Sequence, residues 1–408
     1  MEKQHGRNTV FLALVESLWG VGMNVVSVGT VIPVFLLKLG ATNAVIALLP
    51  SLSALGAGSA TLFASYLTHR SQGIKGWVLG MHLLAPVPLA VISAGLFWKA
   101  ASPVALVLSC WGIYYAFLGL LFPMWLDYMA RILDPTRRGR AFGVILLVQT
   151  LAGAAGVSVA AWLLKLGTGL TVYALLFALS WLASTVGSLF FLGTREALPD
   201  EPPDAQSLMQ HLGDVLALIR SSRWLQFFVG ARCLLRGTYP LIINFYAAYA
   251  VAHRGATVAE AALYGAAALI AQAGSGFLLG ILGDRSGHRL PTLIGQGALV
   301  LACALVLLSL KGPAFFAVAA LTGVYLASEF SSQLNWLMDL SPAPNRQAVL
   351  SLTGFLLTPA AVLVPLAGGF LMDTIGFPVV AGAVAAIVLV AMAVELAAVP
   401  GRPSGIRR

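Results

Sequence analysis

Apolar residues run through this chain in blocks of roughly twenty or more, with charged residues gathered in the short gaps between them. The blocks lie near residues 9–38, 43–68, 76–98, 103–131, 140–165, 170–193, 223–252, 258–283, 289–310, 313–339, 346–372 and 376–399. At ~1.5 Å of rise per helical residue, each can cross a hydrocarbon core about 30 Å thick. Backbone groups in hydrocarbon must find partners inside their own segment, so every block is predicted to be a helix. The pattern predicts an all-α membrane protein with 12 transmembrane helices.

Composition removes the soluble alternative. Of the 408 residues 59% are apolar and 10% charged, against about 25% charged in ordinary soluble proteins. Basic residues precede the first block as in a signal peptide, but the run from Val10 to Leu39 is too long for one and is read as a retained first helix. The net charge of +9 would suggest nucleic acid in a soluble protein. Here 17 of the 24 Lys and Arg fall in the termini and in gaps on their side, while Lys38, Lys99, Lys165, Arg254 and Lys311 fall on the other. The positive-inside rule then puts both termini in the cytoplasm of a multi-pass protein of the cytoplasmic (inner) membrane, with no nucleic-acid partner. Cys110, Cys233 and Cys303 are far apart inside apolar blocks, so neither a metal site nor a cofactor is expected.

The longest gap divides the blocks six and six. Residues 1–193 are predicted to form one six-helix bundle and 223–408 the other, joined by a cytoplasmic linker over 194–222. The linker opens on an acidic, proline-rich turn, and its Leu208, Leu212, Val215 and Ile219 have the spacing of an amphipathic helix lying on the membrane. The halves repeat: Gly40-Ala41-Thr42 matches Gly255-Ala256-Thr257, Arg70-Ser71 matches Arg285-Ser286, and Trp125-Leu126 matches Trp336-Leu337. Three matches in order at nearly one offset point to two pseudo-symmetric bundles, the architecture of rocking-type transporters.

Between spans eight and nine the chain reads Gly280-Ile281-Leu282-Gly283-Asp284-Arg285-Ser286-Gly287-His288-Arg289. This resembles the G-x-L-x-D-R-x-G-x-[KR] loop of the major facilitator superfamily, and the resemblance extends to the span count and central loop. It implies a transporter that works by alternating access as its halves rock. In such a loop Gly280 and Gly287 allow close helix approach and a tight turn. Asp284 can face the positive N-terminus of a neighbouring helix, expected to be span eleven. Arg285 and Arg289 can reach acids at the cytoplasmic rim, Asp339 foremost, so that the cluster holds that side shut. The first-half loop, Ala64 to Gly73, is degenerate, with Thr68 where the family has its acid. Asp127 and Arg131, one turn apart at the end of span four, are expected to substitute in part. Span five carries Gly153-Ala154-Ala155-Gly156 without the proline of drug–proton antiporters, which disfavours that class.

Ionisable groups at membrane depth are costly and usually functional. Glu16, Arg232, Arg236 and Glu329 stand on spans one, seven and ten, which the resemblance implies line a central cavity together with span four. Each belongs to a polar stripe: Glu16, Trp19, Gly20, Asn24 and Ser27; Arg232, Arg236, Tyr239 and Asn244; Glu329, Ser332, Gln333 and Trp336. Their depths overlap, consistent with one shared polar chamber. Two readings remain open. The four charges sum to zero and can form a structural salt-bridge network, or an arginine binds an anionic substrate group while a glutamate carries a proton. Span four offers Trp111, Tyr114, Tyr115, Phe122 and Trp125, for packing or for stacking on an organic solute. His82, Gln149 and Gln272 are the other polar groups placed deep.

No Gly-Lys dipeptide exists to build a phosphate-cradling loop, and no His-x-x-x-His or Gly-x-Ser-x-Gly pattern supports an enzyme; no catalytic residue is assigned. The reading is a monomeric secondary transporter embedded in membrane lipid, with a small anionic or amphipathic organic solute and H+ as its partners. The alternatives are a lipophilic-drug efflux antiporter and a receptor or scaffold with a transporter fold.

Overall fold

A computed structural model describes residues 2–68, 73–133, 138–196, 220, 222–308, 311–341 and 346–401. The helices are α1 (Glu2–Val25), α2 (Val31–Lys38), α3 (Asn43–Ile46), α4 (Leu48–Thr68), α5 (Lys75–Leu84), α6 (Val87–Phe97), α7 (Pro103–Ile132), α8 (Arg138–Leu166) and α9 (Leu170–Leu189), which runs into a 3-10 turn at Phe190–Gly193. They continue with α10 (Arg223–Ile243), α11 (Tyr246–His253), α12 (Val258–Ser286), α13 (Arg289–Leu307), α14 (Phe315–Ala327), α15 (Gln333–Leu340), α16 (Arg346–Ile375) and α17 (Phe377–Ala398). There is no strand among the described residues. The amphipathic helix expected around Leu208–Ile219 lies outside them.

Ten stretches among the described residues are long and apolar enough to cross a bilayer. The two predicted spans outside that set, 9–38 and 223–252, are each two helices separated by a break. In the first, α1 ends at Val25 and α2 begins at Val31. Pro33 has no N–H, and its ring crowds the carbonyl four residues back, at Gly29; the N–H groups of Thr30 and Ile32 turn to Ser27 O instead. In the second, Pro240 lies inside α10, and Asn244 and Phe245 turn their N–H groups to Pro240 O and Ile242 O before α11 starts. The sequence repeat sets Asn244 opposite Gly29, so both halves break at matching places. The repeated Gly-Ala-Thr turns match as well: Gly40 and Gly255 both have left-handed backbone, φ 83° and 72°, a region where a side chain is strained.

Contacts divide the chain into two compact units, each of which takes in a short segment from the other half of the sequence. The first holds Met1–Ala41, Leu52–Ala205 and Thr257–Leu269; the second holds Thr42–Ser51, Gln206–Ala256 and Ile270–Arg408. In the first unit α1 packs on α8 and α9. A Cβ on Gly20 would collide with the carbonyl of Gln149, and one on Gly22 with Ser184, so the absent side chains set how closely these helices approach. The Gly153-x-x-Gly156 pair lines the other side of the same contact, against Asn24 and Val21. Near the basic end of the unit, Leu12, Val15, Trp19, Trp125, Tyr128 and Phe191 form an aromatic-rich core. In the second unit α10 packs on α16 and α17, and α13 on α14 and α17, around Phe228, Trp336, Leu337 and Val349. A π-helical turn at Ser328–Ser332 separates α14 from α15.

Candidate functional site

Arg232 on α10 is the centre of an ionic cluster within the second unit. Its Nη1 donates to Glu329 Oε2 at 3.0 Å, and its Nε and Nη2 both donate to Glu395 Oε1, the first at 3.0 Å. Arg232 is 1% exposed and the two carboxylates 7% and 0%, so the bridges are cut off from solvent. Gln296 on α13 donates to the second oxygen of Glu395 at 2.8 Å, and Tyr325 donates to Glu329 at 3.2 Å. Glu329 sits in the π turn, a helix form that often marks functional places. All three nitrogens of Arg232 donate to this cluster, and the Phe228 ring lies 5.6 Å from its guanidinium carbon.

Arg236, one turn on, is different. It is half-buried, donates from Nη1 to the Tyr239 hydroxyl at 2.8 Å, and lies over that ring. Its other N–H groups have no partner among the described residues, although it lies within the field of Glu329. Gln333 is buried at the start of α15. Asn244, from the predicted stripe of span seven, turns back to Pro240 O at 2.9 Å. Arg232, Arg236, Glu329 and Glu395 balance in charge inside this one unit.

Glu16 belongs to the first unit and is 4% exposed. Trp125 Nε1 on α7 donates to its Oε1 and Gln149 Nε2 on α8 to its Oε2, both at 2.7 Å. No cation pairs with it among the described residues. Asn24 lies against Gly153, one turn along α8 from Gln149, whereas Trp19 does not share these surroundings. Trp19 donates to Ser188 Oγ at 2.9 Å and meets His82 edge-on at 4.9 Å, inside the unit's own core. Asn24 donates back to Gly20 O at 2.8 Å. The stripe drawn on span one is thus split between two packing directions.

The loop motif keeps some of its expected geometry. Gly287 makes the tight turn at φ 84°, its N–H bonded to Gly283 O at 2.8 Å. At Gly280 a Cβ would meet nothing within 4 Å among the described residues. Arg289 is a correction. Instead of an acid, it donates to the carbonyl oxygens of Glu395 and Leu396 in the last turn of α17, where a cation meets the negative end of the helix dipole. Asp339 lies 3.9 Å from His288 Nε2. Asp284 and Arg285 are exposed at the end of α12. The expected partner of Asp284, the start of span eleven, follows residues 342–345, which lie outside the described residues.

In the first unit Asp127 and Arg131 form the expected one-turn pair at 2.8 Å. The acid that joins them was not anticipated. Glu196, at the start of the linker, accepts from the N–H groups of Ile74 and Lys75 at 3.0 Å each and lies 3.6 Å from Arg131. Lys75 Nζ in turn donates to the carbonyls of Leu192 and Thr194. Glu395 also escaped the sequence reading, although it stands inside the last apolar block. Its available signal was a lone acid inside span twelve.

Residues 14–247 and 233–408 match the family described as the Major Facilitator Superfamily. Solved structures with the same fold include a point mutant of the nucleoside transporter NupG, at TM-score 0.75 and 15% identity, covering 95% of this chain and 99% of that one. The D-xylose–proton symporter follows at TM-score 0.72 and 14% identity, covering 96% and 97%. A bacterial homologue of the iron transporter ferroportin in its inward-facing state gives 0.70 and 15%, covering 96% and 98%. No curated protein matches the chain.

Proposed function

The chain belongs to the major facilitator superfamily, a multi-pass membrane transporter rather than an enzyme, and on that premise we propose that it carries a small organic anion or anionic amphipath by alternating access, coupled to protons. The observation that supports this most is the division between two neighbouring arginines. Arg232 is consumed by Glu329 and Glu395, while Arg236 keeps most of its donors and has a hydroxyl beside it. A guanidinium with Tyr239 at its edge suits a carboxylate or phosphate, which takes charge-assisted bonds from both. An anion at Arg236 would bind one helical turn from the Arg232–Glu329–Glu395 cluster, where we place the coupling to protons. Glu16 is a second proton carrier. Its donors are neutral, and either a proton or a cation would relieve the desolvation of its charge.

The protein sits in the cytoplasmic membrane as a monomer with both termini inside, in keeping with the distribution of its Lys and Arg. Glu16 beside the Trp125 ring favours a second reading, efflux of lipophilic cations. Thermal-shift screening of the purified protein against carboxylates and lipophilic cations at two pH values separates the two. Carboxylates should stabilise the wild type and Arg236→Lys but not Arg236→Ala. Equal stabilisation of Arg236→Ala would overturn the anion site, and stabilisation by cations alone would favour efflux. Flux of a stabilising solute into proteoliposomes under a pH gradient then tests coupling; binding without flux would support a receptor.

A further inference from the structure

We infer that Asp373, near the end of α16, is a gate residue that clasps the start of the second span and must release it in each transport cycle. The inference rests on alternating access but on no particular substrate. Asp373 Oδ1 accepts from the backbone N–H and the side-chain amide of Asn43, both at 2.8 Å, and Oδ2 accepts from the N–H of Ala44 at 2.9 Å. One turn before, Gly369 gives the same segment room: a Cβ there would stand 2.7 Å from Asn43 O and 2.5 Å from the Ala47 methyl. Two turns further along α3–α4, Ser51 Oγ donates to Val362 O at 2.8 Å. Residues 42–51 are therefore held along one side of α16, and by contact they belong to the second unit although their sequence belongs to the first half.

The repeat shows what is unusual here. In the second half, Thr257 and Glu260 form a closed capping box: Glu260 accepts from Thr257 N and Oγ1 at 2.7 and 2.9 Å and returns its own N–H to Thr257 Oγ1 at 3.1 Å. In the first half, Thr42 occupies the place of Thr257, but Val45 occupies the place of Glu260. Thr42 Oγ1 still accepts from Val45 N at 3.3 Å, but a valine side chain has no acceptor to complete the box. The next two N–H groups, of Asn43 and Ala44, go to Asp373, 330 positions from Asn43 in sequence. A duplicated helix start without its local acid is thus held by a distant one that can leave. The carboxylate is exposed, so water can replace its bonds when the clasp opens, which keeps the step reversible.

The test uses Ser51→Cys as a reporter in full-length protein whose Cys110, Cys233 and Cys303 have been replaced, labelled in membranes with an impermeant maleimide. Ser51 is 3% exposed while the clasp is closed. Asp373→Ala should raise the labelling rate several-fold. Adding Val45→Glu to Asp373→Ala supplies the local acid of the second repeat; it should restore thermal stability yet leave labelling fast. Unchanged labelling in Asp373→Ala overturns the gate. Return of slow labelling with Val45→Glu also overturns it, because Asp373 would then only end a helix. Neither readout needs a transported solute, so failure of the anion reading leaves this test standing.

Discussion

Two arginines one helical turn apart carry opposite duties, and their partners decide which does which. Removing Arg232 would leave Glu329 and Glu395 as buried carboxylates with no counter-charge, a loss of about 3–5 kcal/mol for a broken buried pair. Removing Arg236 forfeits one hydrogen bond and a ring contact, about 1 kcal/mol. Unfolding in detergent should therefore rank Arg232→Ala far below Arg236→Ala in stability, while only the latter variant remains folded enough to show a specific loss of anion binding. Comparable destabilisation of the two would contradict this division. The sequence displayed both arginines but not the difference between them. An acid one turn from the end of a span ordinarily reaches out to water; only the bonds from Arg232 and Gln296 reveal an inward role for Glu395. Glu16 gives the complementary prediction. Glu16→Gln keeps an amide of the same shape between Trp125 and Gln149, so the protein should fold and exchange solute, yet fail to accumulate it under a pH gradient. Full accumulation by this variant would remove Glu16 from the coupling.

At the level of elements, hydropathy located the ten stretches that are long and apolar enough to cross a bilayer among the described residues, because lipid imposes one requirement on every spanning segment. It did not reveal the breaks in the first and seventh spans. The first comes from Pro33 acting on backbone bonding, whereas the second falls after Ile243, beyond Pro240. Proline alone was no signal, because Pro123, Pro359 and Pro365 lie inside unbroken helices. The linker acid Glu196 was hidden for a different reason: its partners Ile74, Lys75 and Arg131 lie 65 to 122 positions away in sequence. Where the first-half loop has lost its acid to Thr68, Glu196 supplies one from the far end of the same unit. Glu196→Ala removes the acceptors of two N–H groups at the start of α5, a capping loss of about 1–2 kcal/mol. Its melting temperature should drop measurably, and Glu196→Gln, which retains one acceptor oxygen, should fall between. A wild-type melting temperature in Glu196→Ala would mean that the linker start is not a brace.

For the molecule as a whole, the family motif was legible in ten residues, but the direction of its contacts was not. Arg289 reaches the last carbonyls of α17 instead of Asp339. That turn of α17 also carries Glu395, which holds Arg232, which holds Glu329. A continuous chain of bonds thus runs from the motif loop to the charged cluster inside the second unit, and a change in protonation at Glu329 has a physical route to the loop. The alternative is that the loop's cations matter only for membrane orientation. Arg289→Lys discriminates, since it keeps the charge but moves the head group whose Nη2 alone bridges the two carbonyl oxygens. If the bonded chain transmits the change, Arg289→Lys should shift the ratio of inward to outward cysteine labelling toward that of Arg289→Ala, and make it insensitive to pH. If charge alone matters, Arg289→Lys should label like the wild type at every pH, and the link between loop and cluster would be a static feature of the fold.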